Sequence, residues 1–216
     1  MENSEEIEYL NVRSNMYSLL SRAFIREVDK PFLSLLKDET NAQSFRDGGF
    51  NLFGDFIDKQ DDHILDALAV EYASLFLVAT GKRLSVYESV QLPMEGQLNG
   101  VATSKTLAFY KSAGFDFPKE SNILPDHFAV ELEFMSHLCK KEAEAIEKKD
   151  EHVAERARTL QAAFMNTHLG QWYEKFMNNL EKNTQNSFYS GMSLLAKEFL
   201  DSETEALAIE KTGAYT

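Results

Sequence analysis

The chain has 216 residues, with 22 Lys and Arg against 35 Asp and Glu and a formal net charge of −13. That length can bury a substantial core, and 16 Phe, 8 Tyr and 1 Trp exclude a disordered chain. The acidic balance, with no Lys/Arg cluster longer than two residues, excludes nucleic acid and an anionic membrane surface as partners and favours a cationic one.

The first segment, Met1 to Tyr9, carries Glu2, Glu5, Glu6 and Glu8, the wrong sign for a secretory leader. No apolar run approaches the roughly 18 residues that span a bilayer, so stable membrane insertion is not expected. One cysteine, Cys139, leaves no internal disulfide and no Cys-based metal site. The expectation is a soluble, cytoplasmic protein. Only 10 Gly and 4 Pro punctuate the chain, and apolar residues recur at helical spacing. Leu10, Tyr17, Leu20 and Phe24 form the first stripe. Pro31 suits the first turn of a short helix through Leu36. Asp62 is expected to cap a helix running to about Ala79, with the stripe Ile64, Leu68, Tyr72, Leu75 and Phe76, and with Gly81 beyond its end. The segment 81–100, with Pro93 inside, resists helix assignment. Thr103 is expected to cap a helix to about Ala113, with Gly114 as its terminating glycine. The segment 114–125 contains Pro118 and Pro125. Asp126 is expected to cap a long helix to about Lys149, striped by Leu132, Met135, Leu138, Cys139 and Ile146. Leu160, Phe164, Trp172, Phe176 and Leu180 continue across Gly170, and Phe188, Met192, Leu195 and Phe199 close the series. The pattern predicts an all-α protein, a single globular domain over residues 1–216 with about eight to ten helices. The segment 81–100 is its hinge or subdivision: a connection that long is either functional or conceals a short helix. Exchange through it would make a domain-swapped homodimer in place of a monomer.

The common catalytic signatures are absent from the sequence: no phosphate-binding loop, dinucleotide fingerprint, nucleophile elbow or HExxH. No cofactor is implied by the residues. The best local ligand set is His127 with Glu131 and Glu133 with His137, each pair four apart and sharing a helix face. One reading is a helical metal- or small-molecule-binding enzyme using His127, Glu131 and Glu133. The other is two surface ion pairs. Asp126 reads as a helix cap, His168 with Trp172 as a packed helix start, and Tyr87 as an aromatic pinning a loop to the core. What remains is an acidic, aromatic-rich helical surface with an irregular loop. Such a surface suits a peptide with apolar and cationic parts, its apolar run in a groove and its guanidinium on carboxylates.

Four stretches resemble the TorD/DmsD/NarJ-like molybdoenzyme assembly chaperones, the redox enzyme maturation proteins. Val86-Tyr87-Glu88-Ser89-Val90 with Glu95-Gly96 resembles the family's Y-x-S-V…E-G stretch. Glu71-Tyr72-Ala73-Ser74-Leu75-Phe76 resembles its E-Y-x-x-L-F helix. The run Leu124-Pro125-Asp126-His127 into Glu131-Leu132-Glu133-Phe134-Met135 resembles its P-D-H motif running into E-L-x-F-M. His168-Leu169-Gly170-Gln171-Trp172 with Phe176 resembles its H-L-x-x-W…F stretch. The four occur in the family's order over roughly residues 65 to 200. The resemblance implies a cytoplasmic, all-helical chaperone, not an enzyme. It would bind the twin-arginine signal peptide or the apoenzyme of a molybdenum-cofactor oxidoreductase, and hold it until the cofactor is inserted and export can follow. It also implies that peptide binding maps to Tyr87, Ser89, Glu95, Pro125, Asp126 and His127. Glu131 adds a second carboxylate on the helix face of His127. Two positions depart from the family pattern: Gln91 where an aromatic is frequent, and Leu124 where a Glu is frequent. Both bear on the choice of client. No phosphate-binding motif accompanies the resemblance, so nucleotide binding is not carried over.

Overall fold

In the computed structural model, which describes residues 2–77, 84–92, 96–118 and 120–213, the apolar stripes become helices. Ten α-helices are present among the described residues: α1 (Glu2–Ile25), α2 (Lys30–Lys37), α3 (Glu39–Asp47), α4 (Asp61–Tyr72), α5 (Glu88–Gln91), α6 (Val101–Ala113), α7 (Phe128–Glu147), α8 (Glu151–Thr167), α9 (Tyr173–Asn183) and α10 (Ser187–Gly213). No strand is named among those residues. One isolated antiparallel bridge joins Tyr87 to His127.

The chain divides into two compact units. The first comprises Met1–Ile25, Val86–Tyr173 and Leu200–Thr216; the second comprises Arg26–Ser85 and Glu174–Phe199. The passage from Ser85 to Val86 falls inside the 81–100 segment.

In the first unit α7 is the central helix. Thirteen of its 20 residues are buried, which a helix achieves only when neighbours cover most of its surface. α1 approaches it through small polar side chains: Ser14 Oγ lies 2.9 Å from Ser136 Oγ, and Ser21 Oγ donates to the Ala129 carbonyl at 2.8 Å. On another side Phe134 packs against Tyr110 of α6 and Phe164 of α8, each with ring centroids 4.7 Å apart. Aromatic pairs at such separations add about 0.5–1.5 kcal/mol beyond area burial. A buried ion pair also ties the unit. Arg13 of α1 forks onto both carboxylate oxygens of Glu203 of α10 at 2.7 Å, and it reaches Gln161 of α8 at 2.9 Å. Tyr17 donates to the same Glu203 at 2.8 Å.

The second unit is built on the stripe of α4, which continues into a π-helical turn over Ala73–Leu77. There Phe76 meets Phe176 of α9 and Tyr189 of α10 with centroids 6.5 and 5.7 Å apart. Asp55 and Ser187 bond reciprocally, each side chain accepting from the other's backbone N–H, at 3.1 and 2.6 Å.

Helix ends differ from several sequence expectations. Pro31 does lie in the first turn of α2, which Asp29 caps by accepting from Phe32 N–H. Gly114 does end α6, at φ +74, a conformation costly for residues with a Cβ. Asp62 is not the cap of α4; that position is Gln60, and Asp62 pairs with Lys30 at 2.9 Å instead. The far end of this helix, expected near Ala79, lies outside the described residues. Thr103 lies buried inside α6, whose cap position is Gly100. The long helix ends at Glu147, and Lys149 takes a left-handed turn at φ +58. The stripe across Gly170 is interrupted by a 3-10 turn, Leu169–Gln171. A Cβ on Gly170 would lie 2.4 Å from the Met165 carbonyl oxygen, so only glycine permits that close return after α8.

Candidate functional site

The 81–100 segment conceals the short helix α5, and its attachment defines the site, which lies wholly within the first unit. Two backbone bonds hold the loop to the approach to α7: Phe128 N–H donates to the Val86 carbonyl at 2.8 Å, and Glu88 N–H donates to the Asp126 carbonyl at 2.9 Å. They register Tyr87 opposite His127, and the two rings meet edge to face at 5.2 Å. Tyr87 is half-buried, so part of its ring faces outward.

Asp126 was expected as the cap of α7, and the structure corrects this. The cap position is His127, whose Nδ1 accepts from Ala129 N–H at 3.1 Å. Asp126, one residue earlier, turns its carboxylate back onto the loop and accepts Ser89 N–H at 3.0 Å. It thereby satisfies a donor in the first turn of α5, a favourable place for an anion. The Pro125 carbonyl, beside it, accepts from the Tyr110 hydroxyl of α6 at 2.9 Å.

Glu88, Thr106 and His168, beneath the loop, were not read as site residues from sequence. Glu88, 1% exposed, accepts from Thr106 Oγ1 at 2.9 Å and meets His168 Nδ1 at 3.0 Å. Glu131 Oε2 accepts from the Trp172 indole N–H at 3.0 Å. The pairing expected of His127 and Glu131 at the surface is therefore overturned, because both are buried, at 5% and 0% exposed. His168 is not a helix start but ends α8, and Trp172 follows the 3-10 turn. Glu133 is exposed, and among the described residues no group of three or more His, Cys, Asp or Glu is placed to hold a metal ion. The structure thus brings together Tyr87, Ser89, Pro125, Asp126, His127 and Glu131. Glu95 lies outside the described residues.

The cluster is acidic and buried. Asp126 and Glu131 are both 0% exposed, and among the described residues Ser89 Oγ, Asp126 Oδ1 and Glu131 Oε1 have no hydrogen-bond partner. Burial, the neighbouring Glu88 and then Asp126 push the Glu131 carboxyl well above the usual carboxylate range, against the Trp172 bond, which pulls it down. Burial pushes the His127 imidazole down to about 4. The cap explains why the neutral ring is needed: Nδ1 can accept from Ala129 only while it carries no proton. The folded pKa lies below the unfolded value of about 6.5, so this contribution is complete above pH 6.5 and is lost as pH falls through 4. Over that window His127 is expected to account for about 3 kcal/mol of acid destabilisation. His127→Asn, which keeps a capping acceptor, should flatten that part of the stability–pH curve in chemical denaturation. An unchanged curve would show that His127 does not contribute it.

A buried polar network thus anchors the loop to the approach to α7. The nitrate reductase delta subunit family model matches residues 44–178. A TorD chaperone from Shewanella pealeana is 27% identical over 215 residues, covering 92% of this chain and 91% of its own. The selenate reductase assembly chaperone of Thauera selenatis is 32% identical over 117 residues, 54% of this chain and 58% of its own. In fold the chain is similar to an Archaeoglobus fulgidus crystal structure described as a candidate redox enzyme maturation protein. That likeness has a TM-score of 0.55 at 22% identity, over 88% of this chain and 93% of that one. The chain belongs to the nitrate reductase delta subunit family of TorD-like proteins. It is a chaperone of molybdoenzyme maturation, not an enzyme.

Proposed function

We propose that this protein acts in the cytoplasm on one molybdenum-cofactor oxidoreductase, binding its twin-arginine signal peptide and its apo form. It assists cofactor insertion and proofreads the client before export, working as a monomer or as a homodimer exchanged through the 81–100 connection. The observation that carries this reading is the Tyr87–His127 bridge lying over the buried carboxylates Asp126 and Glu131. Among the described residues no helix is long and apolar enough to cross a membrane, which is compatible with a soluble partner for an exported enzyme.

In this reading Tyr87 presents the contact surface, with the buried His127 ring packed edge to face against it. Ser89 and Pro125 fix the loop, and Asp126 with Glu131 receive a guanidinium when α5 lifts; Glu95 is assigned a peptide contact on its motif alone. A guanidinium suits Asp126 and Glu131 because two N–H groups can reach oxygens that lack donors among the described residues.

A fluorescently labelled twin-arginine peptide tests the assignment. Tyr87→Ala should weaken its binding about tenfold, as for an aromatic anchor, while far-UV circular dichroism stays unchanged. Equal affinity in the variant would remove Tyr87 from the contact surface.

A further inference from the structure

Counted as a carboxylate, Glu131 is a poor fit to its surroundings. It is 0% exposed, Oε2 accepts from the Trp172 indole, and Oε1 has no partner among the described residues. Counted as a carboxylic acid, it fits, because its hydroxyl can donate to the Glu88 carboxylate beside it. Beside the backbone bonds and the Asp126 contact, Glu88 adds a side-chain attachment of α5 to the rest of the unit, through Thr106 of α6 and His168 at the end of α8. One proton therefore lies at the joint between the loop and its base.

We propose that Glu131 is a proton latch: its carboxylic acid bridges to Glu88 and keeps the Tyr87 loop shut over Asp126, and an arriving guanidinium expels that proton to solvent. The proposal rests on the peptide-binding reading above for its ligand, but the latch itself is a property of the free protein. With the proton gone, Glu131 would be a buried charge with the Trp172 indole as its donor, set beside the buried carboxyl groups of Glu88 and Asp126. Repulsion then loosens α5 unless a cation replaces the proton.

Several elements contribute groups around the joint. α5 supplies Glu88, and the approach and first turns of α7 supply Asp126, His127 and exposed Glu133. α6 supplies Thr106, the Tyr110 phenol and exposed Lys105; the end of α8 supplies His168, followed by Trp172. α1 meets this end of α7 through Ser21 and Phe24, with Arg22 its adjoining charge.

The protein carries its own reporter, since Trp172 is the only tryptophan and is bonded to Glu131. Trp172 fluorescence of the free protein, excited at the red edge, should titrate with a single midpoint above the usual carboxylate range. That transition should vanish in Glu131→Gln and move down in Glu88→Gln, which removes the neighbouring charge. Calorimetry of a twin-arginine peptide in buffers of different ionisation enthalpy should then show one proton released per peptide, and none in Glu131→Gln. Affinity should rise about tenfold per pH unit below the midpoint and level off above it. A flat Trp172 signal from pH 5 to 9, or an identical titration in Glu131→Gln, overturns the latch whether or not peptide binds. Peptide binding with no proton exchange overturns the coupling and leaves the peptide-binding reading standing. A normal Trp172 titration with no peptide binding overturns that reading and the coupling, and leaves only a protonated Glu131.

Discussion

Arg13→Ala is expected to lower the free energy of unfolding by about 3–5 kcal/mol, the loss typical of breaking a buried ion pair from one side. The guanidinium and the Glu203 carboxylate are both buried, and they meet in a two-pronged contact at 2.7 Å. Burial is the largest single influence and opposes the charged guanidinium, but the Glu203 hydrogen bond and charge, with the neighbouring Cys139 and Tyr17, together outweigh it and raise the Arg13 pKa. Removing Arg13 strands Glu203 with one hydroxyl donor, Tyr17, and strips Gln161 of its guanidinium partner. The damage comes chiefly from the uncompensated carboxylate. The double replacement Arg13→Met with Glu203→Leu should therefore recover most of the loss. Urea denaturation of the two variants checks this: the single variant should be the less stable of the two, and the reverse order would mean that the pair contributes through attraction alone.

The second large effect is expected at Trp172. Trp172→Ala removes a side chain that is 1% exposed and packs edge to face on Phe128 at 5.4 Å, and the expected cost is about 3–5 kcal/mol. Trp172→Phe keeps much of that packing and removes the indole donor to Glu131, at a cost of about 1–3 kcal/mol. The smaller variant should also be pH-dependent. The folded state holds the Glu131 proton more tightly than the unfolded chain does. The stability linked to it is therefore full below the usual carboxylate value and is lost as pH rises through the raised one. Without the indole the ionised form loses its donor and the folded pKa rises further. Trp172→Phe should accordingly cost more at pH 8 than at pH 5, and denaturation curves at the two values decide. Equal costs would mean that the indole bond does not discriminate between the two forms of Glu131.

The apolar stripes were legible in the sequence because helical spacing is a local signal. Leu10, Tyr17, Leu20 and Phe24, and likewise Ile64, Leu68 and Tyr72, are buried where that spacing puts them. Caps were less legible, because several residues near a helix start can supply the acceptor and only the path of the entering chain selects one. Asp126 and His127 are adjacent and both able to cap. The backbone bonds from the 86–88 stretch turn Asp126 toward Ser89 and leave His127 to Ala129. The base of the site was the least legible part. Glu88 lies between Tyr87 and Ser89 in a recognisable stretch, but its partners Thr106 and His168 are 18 and 80 residues away. Nothing local marks His168 as their meeting point. The surplus of acid was visible from composition, yet composition could not show that two of its carboxylates, Glu88 and Glu131, are buried against each other rather than solvated.

The measurement that tests the account most directly is a calorimetric titration with synthetic peptides carrying an adjacent arginine pair and an apolar run, each matched to a version with two lysines. Saturable binding of at least one arginine peptide is expected. Binding should weaken as salt rises and fall markedly in the lysine version, because an ammonium cannot fork onto two carboxylates. It should also be lost in Asp126→Ala beyond any change in fold stability. An absence of saturable binding across a panel of such peptides, or equal affinity for the lysine versions, would contradict it.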